Sequence, residues 1–230
     1  MDLFELYVYE DCPYIDETTE LLEISGKARI KIISREWGIS ACTEDLSEFY
    51  SKKGLKVLSY IKSGEEFNRN SIVFEAEGDA SKVFMLWRVS QTFLSITCAI
   101  ATYTRRLVEK ARKVNPNVVI ATTRKTHPGM RKFEIKAVFS GGGVLHRNSL
   151  SDSILITTNH LRTCKKDLLE VLKNIKRKTL RKIEVEPEKF KDALKAVDYA
   201  DVILLDHYDP EELKKAIKAI REKTKKSKLQ

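Results

Sequence analysis

Four stretches of this chain close on residues that can bind anions or ionise: Thr122-Thr123-Arg124-Lys125, Thr157-Thr158-Asn159-His160, Glu184-Val185-Glu186 and Asp206-His207. Each follows a strand-like run, and βα proteins bind ligands at the carboxyl ends of their parallel strands. One polar strand end is ordinary loop polarity, whereas four in succession point to a site. Arg124, Lys125, His146 and Arg147 are cations suited to phosphate or carboxylate, the arginines through paired hydrogen bonds. Glu186 and Asp206 are carboxylates suited to a hard cation or to ribose hydroxyls. Together the set fits a magnesium-bound sugar phosphate. Gly141-Gly142-Gly143 precedes His146 and allows either close approach of backbone to a ligand or a tight turn. It lacks the spacing of a Walker loop.

Alternating elements must position these residues. Strands are expected at Val118–Thr123, Ser153–Thr158, Lys182–Glu186 and Asp201–Asp206. Helices follow near Phe133–Phe139, Lys165–Arg177, Lys189–Val197 and Pro210–Lys223, the last capped by Asp209. Repeated βα units imply a parallel sheet with right-handed crossovers, open or closed into a barrel. Upstream, Val83 to Ala111 carries apolar residues at helical spacing. Asp79 or Ser81 would cap that helix, Ser90 or Thr97 would break it, and Asn115-Pro116-Asn117 would stop it. Earlier still, Ala28–Ser34, Lys56–Ile61 and Ser71–Glu77 alternate like strands. Turns are expected at Ser63-Gly64 and Gly78-Asp79, and one helix from Thr18 to about Ile24. The fold class is α/β, with a small domain over residues 1–82 and a βα domain over 83–230.

Composition narrows the function classes. With 42% hydrophobic and 33% charged residues, the 230-residue chain is expected to be globular. Runs such as Val118-Val119-Ile120-Ala121 are strand-sized, so no membrane association is expected. The N-terminus shows no signal peptide. Cys12, Cys42, Cys98 and Cys164 are scattered without a C-x-x-C pair, which fits reduced thiols in the cytoplasm rather than a zinc site. The net charge of +9 suits phosphorylated metabolites, and much of the excess sits as lysines on the last helix. No basic patch interleaved with aromatics marks a nucleic-acid binder.

Thr123-Arg124-Lys125-Thr126-His127-Pro128-Gly129-Met130-Arg131 resembles the T-R-K-T-x-P-G-x-R signature of the quinolinate phosphoribosyltransferase (nicotinate-nucleotide pyrophosphorylase) family. Gly141 to Arg147 resembles its G-G-G-x-x-H-R, Asn159-His160 its N-H, Glu184-Val185-Glu186 its E-V-E, and Leu204-Leu205-Asp206 its L-L-D. Arg88 with Phe93-Leu94 and Ile100-Ala101-Thr102 resembles a helix of that family, and Glu10-Asp11 with Asp16-Glu17-Thr18-Thr19 its opening. The resemblance implies an N-terminal α/β sandwich domain and a C-terminal α/β barrel. It implies transfer of phosphoribosyl from phosphoribosyl pyrophosphate (PRPP) to an acidic N-heterocycle, with Mg2+ as cofactor. Arg124, Lys125, His146, Arg147 and His160 would bind substrate, while Glu186 and Asp206 would hold ribose and metal. A homodimer is implied, with Arg88 completing the neighbour's site.

Three features depart from the family pattern. Thr157 stands where the family has a lysine, which moves the resemblance towards its ModD branch, associated with molybdenum-transport operons. Thr92 and Ala99 replace an asparagine and a glycine. Ser227-Lys228-Leu229-Gln230 resembles the start of a strand that in the family leads to the cradle of the 5′-phosphate, so the barrel is expected to be incomplete. The alternative to an enzyme is a degenerate or truncated homologue acting as an anion-binding accessory protein.

Overall fold

A computed structural model describes residues 3–227. The chain divides into two compact units, one ending at His146 and the other beginning at Arg147.

The first unit opens with α1 (Leu3–Asp11) and α2 (Glu17–Leu21), followed by β1 (Lys27–Ile33) and β2 (Gly38–Ile39). Then come α3 (Thr43–Lys52), β3 (Lys56–Tyr60), β4 (Glu66–Phe67) and β5 (Ile72–Asp79). β1, β5 and β3 form an antiparallel sheet in that order, and β2 pairs with β4. Along β1, Lys27, Arg29 and Lys31 face outward while Ala28, Ile30 and Ile32 pack inward, the period of a half-buried strand. Helices α1 and α3 were not expected. Both carry apolar residues at helical spacing, Phe4 and Val8 in one and Leu46, Phe49 and Tyr50 in the other. The glycine at Gly78 makes no turn. It lies in β5, where a Cβ would stand 2.4 Å from Leu55 Cδ2. Gly64 does turn, at φ +90°.

α4 (Ala80–Val114) is a single helix of 35 residues, capped by Asp79 and ended at Asn115. It does not break at Ser90 or Thr97. The Ser90 hydroxyl donates to Leu86 O at 2.8 Å and Thr97 to Phe93 O at 3.0 Å, so both are satisfied inside the helix. By length and composition α4 could span a bilayer, so the expectation that every apolar run is strand-sized fails here. Its apolar side chains Leu86, Phe93, Leu94 and Ala101 are buried in the core of the unit. There Phe93 meets Phe4 and Phe133 edge-on, with centroids 4.7 and 4.9 Å away. Phe133 belongs to α5 (Arg131–Ser140). The strand expected at Val118–Thr123 is reduced to an isolated parallel bridge, Ala121 to Val144.

The second unit contains β6 (Ile154–Ile156), α6 (Thr158–Cys164), α7 (Leu168–Lys176), β7 (Ile183–Val185), α8 (Phe190–Ala196), β8 (Val202–Ile203) and α9 (Pro210–Ser227). The strands are parallel in the order β6, β7, β8. Ile156, Ile183 and Val185 pack against Leu168, Leu172 and Ala196 of the helices. Asp201 fixes the register by accepting the Ile183 N–H at 2.8 Å. A separate helix, α6, precedes α7 where one helix was expected. Ser227 closes α9, and the rest of the strand start expected at Ser227-Lys228-Leu229-Gln230 lies outside the described residues.

Candidate active site

In the first unit the bridge at Ala121 sets two segments side by side. Thr122 N donates to Val144 O, Val144 N to Ile120 O, both at 2.9 Å, and His146 N to Thr122 Oγ1 at 3.2 Å. Arg124 and Lys125 thus leave one segment where His146 leaves the other. The triple glycine serves this approach. A Cβ on Gly141 would stand 2.5 Å from both Ala101 O and Thr104 Cβ, and one on Gly143 2.6 Å from Val138 Cγ1. Gly142 turns at φ +88°. Packing and turning account for the run. Arg105 of α4 secures it by donating to Ser140 O and Gly141 O at the end of α5.

The loop between the bridge and α5 is built from its own side chains. Thr123 Oγ1 accepts the Lys125 N–H at 3.1 Å, and Thr126 N donates to Arg124 O at 3.0 Å. Arg131 Nε donates to Thr126 Oγ1 at 3.2 Å. Tyr7 of α1 donates to Gly129 O at 3.0 Å, and burial, followed by the charge of Glu134, pushes its hydroxyl above the ordinary phenol range. Lys125 is exposed and Arg124 half-buried. Arg124 Nε is nevertheless buried and meets no acceptor among the described residues. Arg88 stands elsewhere in this unit. It stacks 4.1 Å over Trp87, donates to Gln91 and lines an open groove of about 850 Å³ with Ile32, Trp37 and Arg106. Neither Arg124, Lys125 nor His146 lines that groove.

In the second unit, Ile183 and Val185 face the helices, so the alternation of β7 turns Glu184 and Glu186 to the opposite face. Ile203 also packs on the helix side, which places Leu204 and, past the end of β8, Asp206 in phase with the glutamates. Glu184 is buried, Glu186 is half-buried and Asp206 is exposed. His207, at φ +62°, turns the chain after Asp206, donates its N–H to Asp206 Oδ1 at 3.0 Å and lays its ring 3.4 Å from Oδ2. His160 Nδ1 accepts both the backbone N–H and the hydroxyl of Thr157, at 3.0 and 2.9 Å. That assigns the ring proton of neutral His160 to Nε2, as a donor. Arg147 donates to Ser153 O at 3.5 Å across a loop closed by Asp152. The Ser149 hydroxyl and the N–H groups of Asn148 and Ser149 hold the Asp152 carboxyl below the usual range.

Glu134, Tyr7, Arg105 and Asp152 were not anticipated. Only Glu134 left a trace in the sequence, as a carboxylate on the apolar face of α5 between Phe133 and Ala137.

Residues 16–98 match the quinolinate phosphoribosyl transferase N-terminal domain, and residues 100–230 its C-terminal domain. A protein from Archaeoglobus fulgidus, described as a nicotinate-nucleotide pyrophosphorylase (carboxylating), is 36% identical over 191 residues, 83% of this chain and 73% of its own length. A Pasteurella multocida protein described as pyrophosphorylase ModD is 31% identical over 218 residues, 92% of this chain and 77% of its own. The solved nicotinate-nucleotide pyrophosphorylase of Ehrlichia chaffeensis superposes with a TM-score of 0.87 at 28% identity, covering 96% of this chain and 82% of that one. With both domains matched in order along nearly its whole length, the chain belongs to the quinolinate phosphoribosyl transferase family.

Proposed function

We propose that this enzyme transfers the phosphoribosyl group of PRPP to the ring nitrogen of an acidic N-heterocycle. The nitrogen lone pair forms a bond to C1 while the C1–O bond breaks, and its electrons leave with pyrophosphate. The observation that carries the reading is the pairing of Ala121 with Val144, which brings Arg124 and Lys125 out of one segment where His146 leaves the other. Side chains of these types suit a substrate carboxylate or phosphate. Lys125, His146 and Arg147 would share in holding the acidic acceptor, and His160 offers its Nε2–H. Glu186 and Asp206 would sit beside the positive charge that develops at the sugar. A binding-only accessory role is not favoured, because relatives matched along most of the chain are described as pyrophosphorylases.

The two carboxylates also suit magnesium. They leave neighbouring strand ends on one face, and no group of three His, Cys, Asp or Glu ligands gathers among the described residues. Magnesium is held through one or two carboxylates together with substrate phosphates, not in an all-protein cage. Bound there with PRPP, it would neutralise charge on the departing pyrophosphate. Arg88 lies in a groove apart from Arg124, which supports its acting on a second copy of the chain. The four free cysteines suit a reducing, cytoplasmic compartment.

The test is pyrophosphate release from PRPP and magnesium with quinolinate and related heterocyclic acids. Arg124→Ala should lower kcat/KM by about a hundredfold while leaving the unfolding midpoint near that of the parent. No release by the parent chain with any acceptor would overturn the reading.

A further inference from the structure

His127 stands two residues past Lys125 in the loop that presents Arg124, and its surroundings differ from theirs. Its side chain is 74% exposed, yet its Nδ1 lies 2.5 Å from Oε1 of Glu134, whose side chain is only 7% exposed. The same carboxylate accepts the backbone N–H of His127 at 3.3 Å. An ionised carboxylate only accepts, so the shared proton sits on Nδ1 and Nε2 turns outward. Glu134 neighbours Phe133, which is locked into the aromatic cluster with Phe4 and Phe93. One buried carboxylate on a rigid helix therefore grips the loop by both ring and backbone. The loop's other ties, Tyr7 to Gly129 O and Arg131 to Thr126, lie on either side of this grip.

We infer that His127 and Glu134 form a latch that fixes the Thr123–Met130 loop and so sets where Arg124 and Lys125 meet the acceptor. This rests on the phosphoribosyl-transfer reading for its consequence in catalysis, though not for the latch itself. Both are positioning residues, since neither is placed on substrate. A solvent-exposed imidazole contributes little to the core, so deleting it separates positioning from folding. His127→Asn retains an N–H donor close to the position of Nδ1, whereas His127→Ala removes it.

The experiment compares the full-length parent, His127→Ala and His127→Asn by native-state hydrogen exchange and by kinetics with quinolinate, PRPP and magnesium. In His127→Ala, exchange over residues 123–130 should quicken about tenfold and the quinolinate KM rise about tenfold. The KM for PRPP should stay within about threefold and the unfolding midpoint should hold. His127→Asn should restore most of both changes. Equal loop exchange in all three proteins would overturn the latch. So would a uniform loss of kcat with a lowered midpoint, or an asparagine variant no better than alanine. If the parent releases no pyrophosphate, the functional reading fails and the exchange comparison still decides the latch.

Discussion

Thr157 is one of the departures from the family pattern expected from the sequence, and the structure gives it work of its own. It precedes α6, and its N–H and hydroxyl both reach His160 Nδ1, which turns Nε2–H outward. A lysine here would keep the backbone donor and lose the hydroxyl. It would also extend a cation from a position in phase with Leu155, on the face that carries Glu184 and Glu186. Thr157→Lys should therefore lose about 1 kcal/mol of stability at the helix start. If quinolinate is the acceptor, the same change should lower its KM by about tenfold through the added charge-assisted bond. Urea denaturation and acceptor titration measure the two effects. A KM that does not move for quinolinate, but moves for another heterocyclic acid, would assign the acceptor elsewhere.

At the scale of elements, the site depends on α4 as a platform for the glycine run. Gly141→Ala should cost about 1–3 kcal/mol, because its Cβ would meet Ala101 O and Thr104 Cβ at 2.5 Å, and α4 has no freedom to withdraw. Urea unfolding would show the loss, and a stability equal to the parent would mean that α4 gives way. The same contacts show what the sequence could reveal. Strand β1 was legible because one face is buried, so alternation survives in the residue types, whereas β5, central in its sheet, buries Val73 to Ala76 in succession. The polar strand ends were legible because ionisable residues close short apolar runs. Helix α3 was not, since Cys42 enters it at φ +61° without a side-chain cap and leaves no start signal. The continuity of α4 was hidden because Ser90 and Thr97 read as breaks until their hydroxyls are seen bonding back along the helix. The run from Val118 to Thr123 has strand-like residues, but Ala121 pairs only with Val144. Glu134 and Tyr7 escaped because they act on a loop seven and 122 residues away, and no local pattern encodes such a contact.

For the whole molecule, the central question is how many chains make one site. Within the first unit, Arg124 and Lys125 emerge beside His146, while Arg88 lies in a separate groove with Trp87 beneath its guanidinium. If Arg88 served the site of its own chain, variants at Arg88 and Arg124 would damage the same site and mixing them would restore nothing. If Arg88 serves a neighbour in a two-fold dimer, a mixed dimer of Arg88→Ala and Arg124→Ala chains carries both lesions at one site and none at the other. Random exchange of equal amounts makes half of the dimers mixed, so activity should return to about a quarter of the parent level. Unfolding and refolding the two inactive proteins together, then assaying pyrophosphate release, measures this directly. Refolding each alone supplies the baseline, and light scattering confirms the dimer. A mixture no more active than its components, in a preparation shown to exchange subunits, would place Arg88 in its own chain's site or outside catalysis.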